Sequence, residues 1–174
     1  TIVDSENVMS LANRFIVMYA CRLRDAGASA SEIAKLWIEK EDVRVLALLD
    51  TLEYLKRGGR ISKTAALAGN LLSIKPVIAI VDGEVAVLGK ARGSKTVAIC
   101  SGRKLQNAMV LISHAALSRL YGLEDSLLQK YIEDNTDLWK SYVEELPISS
   151  IGSTIGTHTG PGGICVAFFS KTNS

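Results

Sequence analysis

Apolar residues recur at three- and four-residue spacing early in the chain, at Val8, Leu11, Ala12, Phe15, Ile16, Tyr19 and Leu23. That stripe predicts an amphipathic helix, stopped by Gly27, since glycine readily takes the left-handed cap conformation. Ser29-Ala30-Ser31-Glu32 fits a capping box, in which serine and glutamate side chains serve each other's backbone N–H groups. A second helix should follow, with Ile33, Leu36 and Trp37 inward. Val43 to Leu49 is nearly continuous apolar sequence between Asp42 and Asp50, and its length and Val/Leu content predict a strand buried on both faces. Asp50-Thr51-Leu52-Glu53 opens a short helix that Gly58-Gly59 ends.

Ile61 to Gly69 predicts another short helix, with Ser62 as its cap. Val77–Val81 and Glu84–Leu88 flank Asp82-Gly83, a strong hairpin signal because both turn residues tolerate positive φ. Lys95 to Leu111 reads partly as helix, interrupted at Ser101-Gly102; Met109 to Ser113 fits either a helix end or a strand. Leu123, Leu127, Leu128 and Tyr131 form a helical stripe, and helix resumes near Asp137 until Pro147 ends it. Ile148–Ser153 and Ile164–Phe169 read as two final strands joined by a glycine-rich loop through Gly156 and Gly163. Helices alternate with strands around one hairpin, which predicts an α/β fold with a mixed β-sheet flanked by helices, one domain over residues 1–174.

Lysine and arginine exceed aspartate and glutamate by 20 to 18, a net charge of +2, too small to argue for nucleic acid. Cys21, Cys100 and Cys165 lie far apart with no CxxC pair. That argues against a disulfide framework and against a zinc site, and predicts reduced thiols in a cytoplasmic protein. No apolar run reaches the roughly 18 residues of a transmembrane helix, and the first residues lack signal-peptide character. No Ser-His-Asp set, paired carboxylates or metal-ligand cluster stands out, so neither enzymatic chemistry nor a cofactor is expected.

Two segments are specific. The first is Asp50-Thr51-Leu52-Glu53-Tyr54-Leu55-Lys56-Arg57-Gly58-Gly59-Arg60-Ile61-Ser62, leading into Leu72-Ser73-Ile74-Lys75-Pro76-Val77-Ile78 and the Asp82-Gly83 hairpin. The second is Ile155-Gly156-Thr157-His158-Thr159-Gly160-Pro161-Gly162. In this order and separation, with Gly89-Lys90-Ala91-Arg92-Gly93 after the hairpin, they resemble the C-terminal portion of DegV-family proteins. Cys100 to Tyr121 matches the family pattern poorly. The resemblance implies a protein that holds a long-chain fatty acid and presents its carboxylate to a separate fatty-acid kinase. It further implies an N-terminal DegV domain whose serines and threonines share the head-group site. No segment here matches those motifs, and Thr1 to Ser5 resembles the join, so that domain is expected to be missing from this chain.

The candidate fatty-acid site is Arg60, Ile61, Ser62, His158 and Thr159. Arg60 follows two glycines, where a guanidinium could fork onto a carboxylate; the plainer reading is a surface arginine paired with Asp50 or Glu53. His158 could donate to a carboxylate, or tie its loop to backbone carbonyls. Gly156, Gly160, Gly162 and Gly163 could form an N–H nest for an anion, or a tight connection with Pro161 fixing one φ. Ile61, Leu67 and Ile74 fit a tunnel wall or ordinary core, and Trp37, Trp139 and His114 read as structural. The rival function is a substrate domain for a small polar metabolite, similar to that of dihydroxyacetone kinases, with His158 as its nucleophile or anchor. A sugar needs several convergent hydrogen-bonding groups and an acyl chain almost none, so the apolar residues near the first motif favour lipid.

Overall fold

A computed structural model describes residues 11–38, 43–61, 75–91, 116–120, 126–137 and 147–169. The described elements are α1 (Leu11–Asp25), α2 (Ala30–Ile38), β1 (Val43–Leu48), α3 (Glu53–Arg57), β2 (Lys75–Val81), β3 (Glu84–Ala91), β4 (Ala116–Leu120), α4 (Ser126–Asp134), β5 (Ile148–Ile151), α5 (Ser153–Thr159) and β6 (Ile164–Phe169). The expected helix after Ile61, with Ser62 and Leu67, falls outside the described residues, as do Ile74, Lys95 to Leu111, His114 and Trp139.

The strands form one six-stranded sheet in the order β3-β2-β1-β6-β4-β5. It is mixed, because β4 and β5 run parallel while the other neighbours run antiparallel. β1 is central. Leu46 and Leu48 pair with Val166 and Ile164 on one side, and with Ala79 and Val77 on the other. All six are buried, and so are Ala47, Ile78 and Cys165 on the alternate positions. Successive side chains point to opposite faces, so β1 is buried on both faces as its unbroken apolar run predicts.

The amphipathic stripe of α1 is realised: Ala12 is buried, Ile16, Tyr19 and Leu23 are half-buried, and Val17 and Met18 are exposed. The helix packs against β1, β4 and β6. The capping box of α2 is present in both directions. Ser29 N donates to Glu32 Oε2 at 2.8 Å, and Glu32 N donates to Ser29 Oγ at 3.3 Å. Asp82 at φ 51° and Gly83 at φ 75° make the tight β2–β3 turn, with both central residues at positive φ as a type I′ turn demands. A bulge follows in β3: Val77 pairs with Gly89 and Ile78 with Val87, which leaves Leu88 over.

Two segments differ from the sequence expectation. Ala116–Leu120 is a strand between β6 and β5, although Ala-Leu-Ser-Arg-Leu has no β-branched residue to announce one. Residues 153–159 are a helix, not a loop between two strands. Glycine and threonine are poor helix formers, so propensity hides α5. Packing explains it: Gly156 and Thr159 are buried on its inner side, and Ile155 packs on the core. Thr157 Oγ1 finds a partner in the Thr154 carbonyl at 2.8 Å.

The hydrogen bonds from Ser29 hold the Glu32 carboxyl below the usual glutamate range. A depressed folded value means that its contribution is present above the ordinary glutamate pKa and lost as pH falls through the lowered one. Ser29→Ala is expected to lower stability at neutral pH in chemical denaturation, and to lower it less in acid where Glu32 is protonated. An equal cost across that range would show that the box contributes nothing through its charge.

Candidate functional site

The two sequence motifs meet at one end of the sheet, where β1 and β5 end and β2 and β6 begin. α3 leaves β1 through Asp50-Thr51-Leu52, and Thr51 Oγ1 accepts from Glu53 N at 3.2 Å at its start. Its end is a Schellman motif: Arg60 N donates to Leu55 O at 2.9 Å, and Gly59 N donates to Lys56 O at 3.1 Å. Gly59, at φ 68°, supplies the left-handed residue this geometry requires. The Gly-Gly-Arg sequence is therefore a helix stop that sets the direction of Arg60.

Arg60 is exposed, and its Nη1 donates to Gly58 O at 2.9 Å. A guanidinium over the last carbonyls also complements the helix dipole. The structural pairings considered for it are taken by others. Glu53 pairs with Arg57 at 2.5 Å, and Asp50 with Lys75 at 2.5 Å. Among the described residues no carboxylate pairs with Arg60.

His158 packs on the same glycine. A Cβ at Gly58 would stand 2.1 Å from His158 Nδ1 and 2.6 Å from its Cε1. The imidazole thus occupies the space of the missing side chain. It belongs to α5, and the next residue, Thr159, is 6% exposed. His158 Nδ1 and Thr159 Oγ1 are both buried without a hydrogen-bond partner among the described residues. Leaving a buried polar atom unpaired costs about 1–3 kcal/mol, so these two are groups that a hydrogen-bond partner would stabilise.

Of the two readings of the glycines, the nest loses two of its amides. Gly156 N donates to Gly152 O at 2.9 Å and Gly160 N to Gly156 O at 2.9 Å, so these two amides are committed to the helix and its end. Gly160 has another role. At φ 72° and ψ 177° it adopts a conformation almost confined to glycine, and a Cβ there would meet Tyr54 Cδ2 at 2.3 Å. The Tyr54 ring fills that space and packs α3 on the end of α5.

Under these groups lies an apolar cluster of Ala47, Leu49, Leu55, Ile78, Ile151 and Cys165, with Leu52, Ile61 and Ile155 half-buried against it. Burial pushes the Cys165 thiol up to about 12, so it acts as a packed apolar group. Arg60, Ile61, His158 and Thr159 are thus brought to one junction, while Ser62 lies outside the described residues. Gly58 and Tyr54 escaped the sequence reading as site-forming residues. Their signal was spacing, since Tyr54 lies in α3 and Gly58, four residues on, caps its end on the same side. Among the described residues no group of three or more His, Cys, Asp and Glu is placed to hold a metal ion.

Comparison with known proteins adds a family. A model for a family described as "uncharacterised protein, DegV family" matches residues 1–171. The chain belongs to the DegV family. The DegV domain-containing protein YejH of Lactococcus lactis is 34% identical over 173 residues, covering 93% of this chain and 58% of that protein. A DegV protein from Thermus thermophilus, solved for its fatty-acid binding, is 28% identical with a TM-score of 0.78, over 98% of this chain and 61% of its own. The Streptococcus pneumoniae Fatty Acid Kinase (Fak) B3 protein, solved loaded with linoleic acid, is 21% identical with a TM-score of 0.75 over 90% of this chain and 55% of its own. That last likeness speaks for the fold. The chain spans about three fifths of the length of the DegV relatives it matches.

The Gly58–His158 contact can be tested without backbone strain, because Gly58 sits at φ −78°, ψ 0°, open to any L-residue. Gly58→Ala is expected to cost about 1–3 kcal/mol by overpacking. In a His158→Ala background the same change should be neutral, or stabilising by about 0.5 kcal/mol through the unfolded chain. Denaturation of the four proteins measures this cycle; additive effects would mean that the imidazole does not rest on Gly58.

Proposed function

We propose that this DegV chain holds a long-chain fatty acid, in the cytoplasm, and presents its carboxylate to a separate fatty-acid kinase, performing no chemistry of its own. One observation carries the reading: His158 packs on Gly58, whose carbonyl accepts from Arg60, a cation that no described carboxylate balances, while His158 Nδ1 and Thr159 Oγ1 are buried without a partner among the described residues and Ile61 and Ile155 pack on an apolar cluster. The amphiphile that suits such a junction has one anionic end and a long apolar remainder. Each CH₂ taken from water contributes about 0.8 kcal/mol, so the chain supplies affinity and the head group supplies orientation. Arg60 gives a fixed cation, and His158 and Thr159 give short-range hydrogen bonds. Leu52, Ile61 and Ile155 offer the start of an apolar wall, and Ser62 is assigned to the same site by the family resemblance. The fatty-acid binding for which the Thermus relative was solved supports the reading. Among the described residues no helix is long and apolar enough to cross a membrane.

The resemblance assigns part of the head-group grip to an N-terminal domain. We therefore expect this chain alone to bind weakly, and a fusion to a relative's N-terminal portion to bind tightly. Titration with a fluorescent long-chain fatty acid, with organic extraction and mass spectrometry of the purified protein, measures both. In the fusion, Arg60→Ala should weaken binding about tenfold or more, the worth of one charge-assisted hydrogen bond. Tight one-to-one binding by the chain alone would remove the need for a shared grip. Failure of both proteins to bind would sink the lipid reading, and preferential binding of dihydroxyacetone would replace it with the polar-metabolite alternative.

A further inference from the structure

The contacts between the two motifs form a series. Gly58 meets His158, Tyr54 meets Gly160, and Asp50 meets Gly162. Stepping back four residues at a time along the first segment corresponds to stepping forward two at a time along the second, so the segments run antiparallel. The first two contacts are apolar or purely steric. The third is charged: Asp50 Oδ2 lies 2.1 Å from where a Gly162 Cβ would be, and Asp50 Oδ1 accepts from Lys75 Nζ at 2.5 Å.

That carboxylate is tied to the sheet. Asp50 closely follows β1, Lys75 opens β2, and Leu49 N donates to Pro76 O at 3.0 Å between them. The Asp50 and Lys75 side chains are only 43% and 32% exposed, so the pair is partly shielded from water. The glycine it touches stands at φ 74°, three residues after Thr159. Charge on the sheet thus abuts the far end of the segment that carries His158 and Thr159.

We propose that Asp50, held by Lys75, is a positioning residue for the head-group site. It acts through Gly162, setting the register of residues 158–162 against α3, and so fixes where the His158 imidazole sits over Gly58. The proposal rests on the reading of this junction as the head-group site.

The test is made on the whole chain, and on the fusion for binding. Asp50→Asn keeps the size of the side chain and removes its charge, Lys75→Met removes the cation, and Lys75→Arg keeps it. The readouts are the His158 imidazole resonances in 15N-edited NMR, assigned with His158→Gln, the fatty-acid affinity, and the melting temperature. Asp50→Asn and Lys75→Met should each displace the His158 resonances and weaken affinity about fivefold, near the upper end for a partly exposed ion pair. Lys75→Arg should restore both. If melting temperature falls while the His158 resonances and affinity stay as in the unsubstituted protein, Asp50 is merely structural and the proposal is overturned. The NMR readout needs no ligand, so it decides the matter even if the fatty-acid reading itself fails.

Discussion

His158 stands so close to Gly58 that no side chain at position 58 could share the space. The rest of the junction depends on that close approach. It lets α3 and α5 pack, and it puts His158 against the same glycine whose carbonyl accepts from Arg60. The same economy recurs along the seam, where Gly160 accommodates the Tyr54 ring and Gly162 the Asp50 carboxylate. Glycine is costly in regular structure because it loses the most freedom on folding. Here that cost secures contact between a side chain and a backbone, which a larger residue would forbid.

The sheet supplies what the seam needs. β1, buried on both faces, ends where α3 begins, and β6 begins where the turn after α5 ends. In the β1–β6 register Leu48 stands opposite Ile164, and a one-residue slip would move each side chain to the opposite packed face, where it meets different neighbours. The two motifs, about a hundred residues apart in sequence, are therefore delivered to each other by a strand pair whose alignment the core enforces. Polar groups gather at the rim, and apolar ones lie directly beneath. The proposed fatty-acid ligand would suit that gradient, because an acyl chain and its carboxylate ask for opposite surroundings.

Electrostatics enters sparingly. Arg57–Glu53 and Arg24–Asp25 are exposed pairs and contribute little. Asp50–Lys75 differs, because it is partly shielded and bridges adjacent strands at the site's edge. Occupying Asp50 and Glu53 with other cations leaves the Arg60 charge directed by its Schellman turn and unbalanced by any described carboxylate.

Local features were legible in the residues themselves. The capping box at Ser29, the Asp82-Gly83 turn, the stripe of α1 and the twice-buried β1 each follow from interactions within a few residues or from a regular period. Arg60, Ile61, His158 and Thr159 were legible as candidates, but their convergence was not, because it joins segments distant in sequence. β4 and α5 were hidden for a related reason. Ala116–Leu120 is a strand because β6 and β5 offer hydrogen bonds on both sides, and 153–159 is a helix because its buried side packs on the core, against its own composition. By itself the sequence determined the α/β class, the helix stops and the hairpin, since nearby residues decide those energies. Only the tertiary structure decided that Gly58 would meet His158, and that Asp50 would face Gly162, because such contacts exist only once the sheet has set its register.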